Sequence, residues 1–223
     1  MKLLSITITL CSIFICSSIF AQEGFRAGLK GGPQSTWMFN ADDSDDSDWL
    51  YRNTVRSMFG FSLGYNFNDG VGVGLDLIFS SQGQRYELND LDQFRKLNYF
   101  KVPLMLNLNT TPEKVTFGYL NVGPQFSFLM SARQGDVDLG IINLGDEDIS
   151  EFYNGVTVGG VLAFGAGWNL TDFLQLTTGL RFDFDFTDAE DKDYILIDSD
   201  RSPTYNATAA LEIGIRYVLR TGE

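Results

Sequence analysis

Arg181, Asp183 and Asp185 sit at every second position, and in an extended chain that spacing puts all three on one face. Two carboxylates beside a guanidinium suit two kinds of chemistry. They can share a proton and act as acid and base, as paired carboxylates do in hydrolysis, with Asp188 just beyond them. Alternatively, they can neutralise cations carried by other strands. The chain has no histidine, and its two cysteines, Cys11 and Cys16, lie close to the N-terminus. Beyond that segment there is no imidazole base, no Ser–His–Asp arrangement and no thiolate metal site. These absences weigh against catalysis and give no reason to expect a cofactor.

The remaining acids crowd into three stretches. Asp42, Asp43, Asp45, Asp46 and Asp48 form the first. Asp146, Glu147, Asp148 and Glu151 form the second, and Asp188, Glu190, Asp191, Asp193, Asp198 and Asp200 the third. Hard cations prefer such oxygen ligands, so the first stretch is a weak candidate for Ca²⁺ or Mg²⁺. Its spacing lacks the central glycine of a calcium loop, and like charges also simply solvate a loop. The net charge is −13, which argues against nucleic acid as a partner.

The elements that carry these charges alternate with a period of two. From Leu174 to Phe186 the even positions are apolar apart from Thr178, and the odd positions are polar or charged. The same pattern recurs in eight segments, approximately Phe25–Phe39, Val55–Phe67, Val71–Tyr86, Lys96–Asn109, Val115–Ala132, Gly155–Trp168, Phe173–Thr187 and Thr204–Arg220. Across roughly 40 positions on the oily face none is charged, where a charged fraction of 20 % would place about eight. Lipid imposes such a purge, since an Arg or Lys at mid-bilayer costs roughly 2–4 kcal/mol.

The connections alternate too. Asn68–Gly70, Thr110–Lys114 and Asn169–Asp172 are short; Asn40–Thr54, Leu88–Arg95, Arg133–Asn154 and Asp188–Pro203 are long. Short turns at one end and long loops at the other are the habit of outer-membrane barrels. The expected fold is therefore all-β: an eight-stranded antiparallel up-and-down transmembrane barrel with short periplasmic turns and long acidic extracellular loops. Residues 1–21 read as a cleaved signal peptide and 22–223 as one domain. Loss of Lys2 with the signal takes the charge to −14 (−13 minus 1).

An eight-stranded barrel fills its interior with side chains. The inward set is Arg26, Lys30, Arg56, Asp76, Lys101, Asn121, Gln125, Arg181, Asp183, Asp185, Glu212 and Arg216. Acids and bases enclosed together are expected to pair, so Lys30, Asp76, Lys101, Arg181, Asp183, Glu212 and Arg216 form an expected interior charge network. Tyr65, Phe67, Trp168 and Tyr217 suit an aromatic girdle at the periplasmic side. Outer-membrane lipid and lipopolysaccharide are the expected surroundings, with divalent cations possible at the acidic loops and an unidentified protein partner possible at the apolar Leu139–Leu144 patch. Alternation alone also fits a soluble exported lipocalin-like barrel, which places oil inside to hold an apolar ligand.

Three elements carry a family resemblance: Phe79-Ser80-Ser81-Gln82-Gly83, Asn98-Tyr99-Phe100-Lys101-Val102-Pro103-Leu104, and Asn121-Val122-Gly123-Pro124-Gln125. Together and in this order they resemble the PorT-like outer-membrane β-barrel family of Gram-negative bacteria. The resemblance implies an eight-stranded barrel in the outer membrane; the narrow, filled interior and the missing histidine lead to the expectation of a structural or interaction role with no open pore and no catalysis. Pro103 and Pro124 fall in mid-strand, where a missing N–H predicts bulges or irregular pairing. The chain departs from the usual barrel ending in lacking a terminal aromatic residue.

Overall fold

The computed structural model describes residues 24–42, 50–88, 91–110, 115–138, 141–192 and 202–220. The segment read as a signal peptide lies outside them. Among the described residues there are nine strands: β1 Gly24–Phe39, β2 Leu50–Asn66, β3 Val71–Leu88, β4 Leu91–Asn109, β5 Thr116–Asp138, β6 Ile141–Asp148, β7 Val156–Asn169, β8 Leu174–Asp185 and β9 Tyr205–Arg220. Eight of them form the wall. β1 pairs with β2 and β9, each later wall strand with its neighbours, and the β4–β5 ladder closes the ring, all antiparallel. Closure leaves no edge within the wall, which a sheet in lipid requires.

The period-two pattern dictates the two faces. Leu29, Phe59, Leu104, Leu162, Leu180 and Ile213 are exposed on the outside. Between them on the same strands Lys101, Val161, Arg181 and Glu212 are buried inside. A lipocalin-like barrel needs the reverse, so the soluble ligand-binding reading fails on the position of the oil. No described helix is long and apolar enough to cross a membrane, and the crossing is made by strands.

The turns at one end are short. Asn68 Oδ1 accepts from the N–H groups of Gly70 (2.9 Å) and Val71 (2.8 Å), an Asx turn that reverses the chain in few residues. At the other end the strands outrun the expected loops. Leu88–Arg95 is not a long connection: β3 and β4 continue upward and are joined across residues 89–90, with Leu88 opposite Leu91. Likewise β5 runs ten rungs past its last pairing with β7 at Phe128–Val156 (128 to 138), and β6 pairs beside it. Above the lipid the outer face meets water, so no oily outer face is needed and the alternation that marks the lower strands fades.

The mid-strand prolines interrupt pairing without slipping it. Around Pro103 the β3–β4 ladder skips from Leu75–Leu104 to Ile78–Lys101 and keeps its register. Around Pro124 the β4–β5 ladder skips from Pro103–Gln125 to Leu106–Val122, again in register. The register shifts fall elsewhere, between Asn53 and Met58, Asn98 and Tyr99, and Gln134 and Asp136. A Gly-Pro-Gln element occurs twice, at Gly32–Gln34 on β1 and Gly123–Gln125 on β5, on opposite sides of the ring. A Cβ at Gly32 would strike the Leu211 carbonyl, and one at Gly123 that of Leu104. Each glycine thus lets a neighbouring strand approach closely where proline withdraws a donor.

Candidate functional site: the barrel lumen

The inward residues are stacked in layers. The middle layer is ionic. Lys30 Nζ lies 2.8 Å from Asp76 and 3.1 Å from Glu212. Lys101 Nζ lies 2.8 Å from Asp183. Arg181, 1 % exposed, reaches Asp183 (2.9 Å), Asp76 (3.4 Å) and Glu212 (3.8 Å) and donates to Gln125 Oε1 at 2.9 Å. Three cations therefore face three carboxylates contributed by β1, β3, β4, β8 and β9. Enclosed charges are costly unless so matched, and Arg suits the bridging position because its planar fork serves several acceptors at once.

Asp183 and Asp185, the pair considered for acid–base work, have separate partners. Asp183 is held by Lys101 and Arg181, whereas Asp185 accepts from Thr157 (2.9 Å) and Asn206 (3.1 Å). That second set belongs to an upper layer of mostly uncharged groups. There Gln34 meets Ser80 (2.9 Å), Thr36 meets Thr54 (2.8 Å), and Asn206 donates to Tyr99 (3.2 Å). Above it Leu97, Tyr99, Ala132, Ile149 and Tyr153 close the mouth as an apolar cap. Arg95 reaches Glu190 at 3.8 Å at its edge.

The seventh expected member of the charge network, Arg216, stands apart from the other six. It lies toward the short-turn end with Arg26, and its Nε donates to Gln175 at 2.6 Å. Arg56 is also apart, with its guanidinium 4.2 Å from the Phe94 ring centroid. Gln175 lies on the polar face as expected, whereas Gln34, Thr36 and Tyr119 are lumen groups absent from the expected inward set. Their parity with Lys30, Asn121 and Arg181 was the available signal. Tyr153 and Glu190 lie between periodic segments and carried none.

The loop acids act locally where they are described. Asp42 accepts from the Ser202 N–H (2.6 Å) and hydroxyl (2.8 Å), tying the first long loop to the start of β9. Asp148 accepts from the Ser150 N–H (2.9 Å), and hydrogen bonding from Ser150 holds its carboxyl below the ordinary carboxylate range. Asp188 accepts from the N–H groups of Glu190 and Thr204. Among the described residues no group of three or more acids is placed to hold a metal ion. Asp43, Asp45, Asp46 and Asp48 fall outside the described residues, as does the side-chain detail of the Leu139–Leu144 patch.

Comparison with solved structures places this architecture. The outer membrane protein OprG of Pseudomonas aeruginosa matches with a TM-score of 0.54 at 12 % identity, over 91 % of this chain and 99 % of that one. Neisserial surface protein A matches with a TM-score of 0.49 at 13 % identity, over 86 % and 96 %. At these identities the likeness concerns the fold alone. No curated protein matches the sequence significantly. A family model described as outer membrane protein beta-barrel domain matches residues 20–191. With oil outside, charge inside and that model spanning most of its length, the chain belongs to the outer membrane protein beta-barrel domain family and is a barrel of the Gram-negative outer membrane.

Proposed function

We propose that this protein is a plugged, non-catalytic outer-membrane barrel of the PorT-like type whose working surface is its tall extracellular rim. The observation that carries the reading is a basic band on that rim. Arg52 lies directly opposite Arg85, and Lys96 directly opposite Arg133. Gly83 pairs with Lys96 and Arg85 with Phe94, so the two like-charged pairs sit on adjacent rungs of one face. Arg52 and Arg133 are exposed and Arg85 and Lys96 partly exposed, whereas Gln84, Tyr86 and Leu97 at the alternate positions are buried. Arg52, Arg85 and Arg133 each have interactions within the protein, and with Lys96 they gather four cations into one patch, which draws anions. Arg133 also has Asp148 opposite it on β6.

The band's height suits lipopolysaccharide. Phe59, Phe79 and Phe100 form an aromatic row, with centroids 5.3 Å and 5.1 Å apart. Arg85 lies roughly 15 Å above that row at the usual strand rise and tilt. This is the level of headgroup and inner-core phosphates, and direct Arg and Lys contacts to those phosphates need no bridging metal. The matched ion pairs in the middle of the lumen suit a closed barrel.

The test compares unfolding in vesicles with and without lipopolysaccharide, after outer-membrane fractionation and a heat-shift gel confirm the folded barrel. Lipopolysaccharide should raise the urea midpoint, and Arg52→Ser with Arg85→Ser and Lys96→Ser should remove most of that rise. An undiminished rise in the triple variant would sink the proposal.

A further inference from the structure

The periplasmic end of the lumen encloses a cavity of about 40 Å³ whose lining includes Arg26, Asn107, Tyr119, Thr177 and Arg216. Arg26 faces Val218 and Arg216 faces Gly28 across the β1–β9 ladder, so the two arginines are diagonal neighbours on one face. Arg26 is 6 % exposed, and its Nε has no hydrogen-bond partner among the described residues. The buried Tyr119 hydroxyl has none either. Arg216 donates to Gln175 and stacks over the Phe117 ring, 5.2 Å from its centroid. The nearest carboxylates, Asp76 and Glu212 at the roof, are already engaged by Lys30 and Arg181. Glu212 Oε2 makes no hydrogen bond and lies 3.8 Å from Arg181.

The layer above balances its own charges: Asp76 and Glu212 border the cavity from its roof, and among the described residues they pair with Lys30 and Arg181 and not with the two guanidiniums of this end. Guanidinium does not give up its proton in proteins. A buried unpaired cation is strongly unfavourable, and neighbouring like charges add to the cost. Space is also made for the group. Gly64 borders the Arg26 guanidinium, where a Cβ would lie 3.3 Å from Nη2, and Gly74 borders Asn107. The arrangement offers convergent donors, two planar forks and a phenol, in a pocket of the size that suits one small oxyanion.

We infer that the periplasmic end of the lumen is a binding site for a single oxyanion of the phosphate class, held by Arg26 and Arg216 with the Tyr119 hydroxyl as a third donor. The phosphate comes either free from the periplasm or from an inner-leaflet headgroup reaching the mouth. This site is independent of the rim reading, since it lies at the other end of the barrel and inside it.

The test is calorimetric titration of the folded protein in a non-ionic detergent and phosphate-free buffer, first with inorganic phosphate and then with dihexanoyl phosphatidic acid. Saturable binding of inorganic phosphate identifies the free anion, and binding of the short lipid alone identifies the headgroup; either supports the site. Arg26→Gln and Arg216→Gln should each weaken binding at least about tenfold. Tyr119→Phe, which removes one oxygen and does not threaten folding, should weaken it roughly threefold to tenfold. In phosphate-free buffer Arg26→Gln should unfold no earlier than the parent, because it removes an unpaired charge. Absence of saturable binding of both ligands overturns the inference, as does equal affinity in the Arg26→Gln variant. So does a guanidinium satisfied by water alone, which would leave stability indifferent to phosphate.

Discussion

The middle of the lumen and its periplasmic end are built from the same residue types and solve different problems. In the middle, Lys30, Lys101 and Arg181 are matched one for one by Asp76, Asp183 and Glu212. Two inward positions lower in the same tube, Arg26 and Arg216 form no ion pair among the described residues, and Arg216 meets Gln175 and the Phe117 ring. The middle is therefore electrically self-contained, and the end depends on what enters it. Charge in a barrel interior is thus not one property. Its meaning depends on whether its partner is carried by the chain.

That contrast can be broken by substitution. The largest effect is expected at Arg181. Arg181→Met strips three carboxylates of their shared cation and should cost about 3–5 kcal/mol, read as a lower urea midpoint for folding into vesicles. A loss similar to that of Arg26→Gln would mean that the two regions do not differ. The neighbouring position supplies a ruler. Leu180 is exposed on the opposite face of the same strand, and Leu180→Arg should cost roughly 2–4 kcal/mol in lipid. One strand then prizes arginine at 181 and rejects it at 180. The smallest effect is expected from Gln175→Leu, which removes the one neutral acceptor of Arg216 and should cost about 1.5–3 kcal/mol without phosphate. Added phosphate should recover part of that loss, whereas it should leave the Arg181→Met loss untouched.

Much of this was legible in the sequence, for a physical reason. Lipid tolerates no error on the outer face, so Leu174 through Phe186 announce their orientation one residue at a time. The set of inward charges follows from the same parity. Their partners do not: Lys30 meets Asp76 and Glu212 because strand tilt and register bring β1, β3 and β9 residues to one height, and no local pattern encodes that. Where lipid ends, so does the signal. Leu88–Arg95 reads as a loop because a strand whose outer face meets water has no oily side to mark it, and the register shift at Asn98–Tyr99 is invisible because one extra residue in β5 leaves composition unchanged. Arg216 was grouped with the network by its type and parity, which say nothing about height along the barrel.

The balanced ion-pair layer has an electrical consequence. A charge moved through a membrane potential contributes roughly 2.3 kcal/mol per 100 mV, and voltage-driven proteins work by letting net charge travel. Here equal numbers of opposite charges are pinned to one another at mid-membrane by contacts of 2.8 to 3.8 Å. A field across the membrane pulls the two signs with equal force in opposite directions, so this layer carries almost no net gating charge.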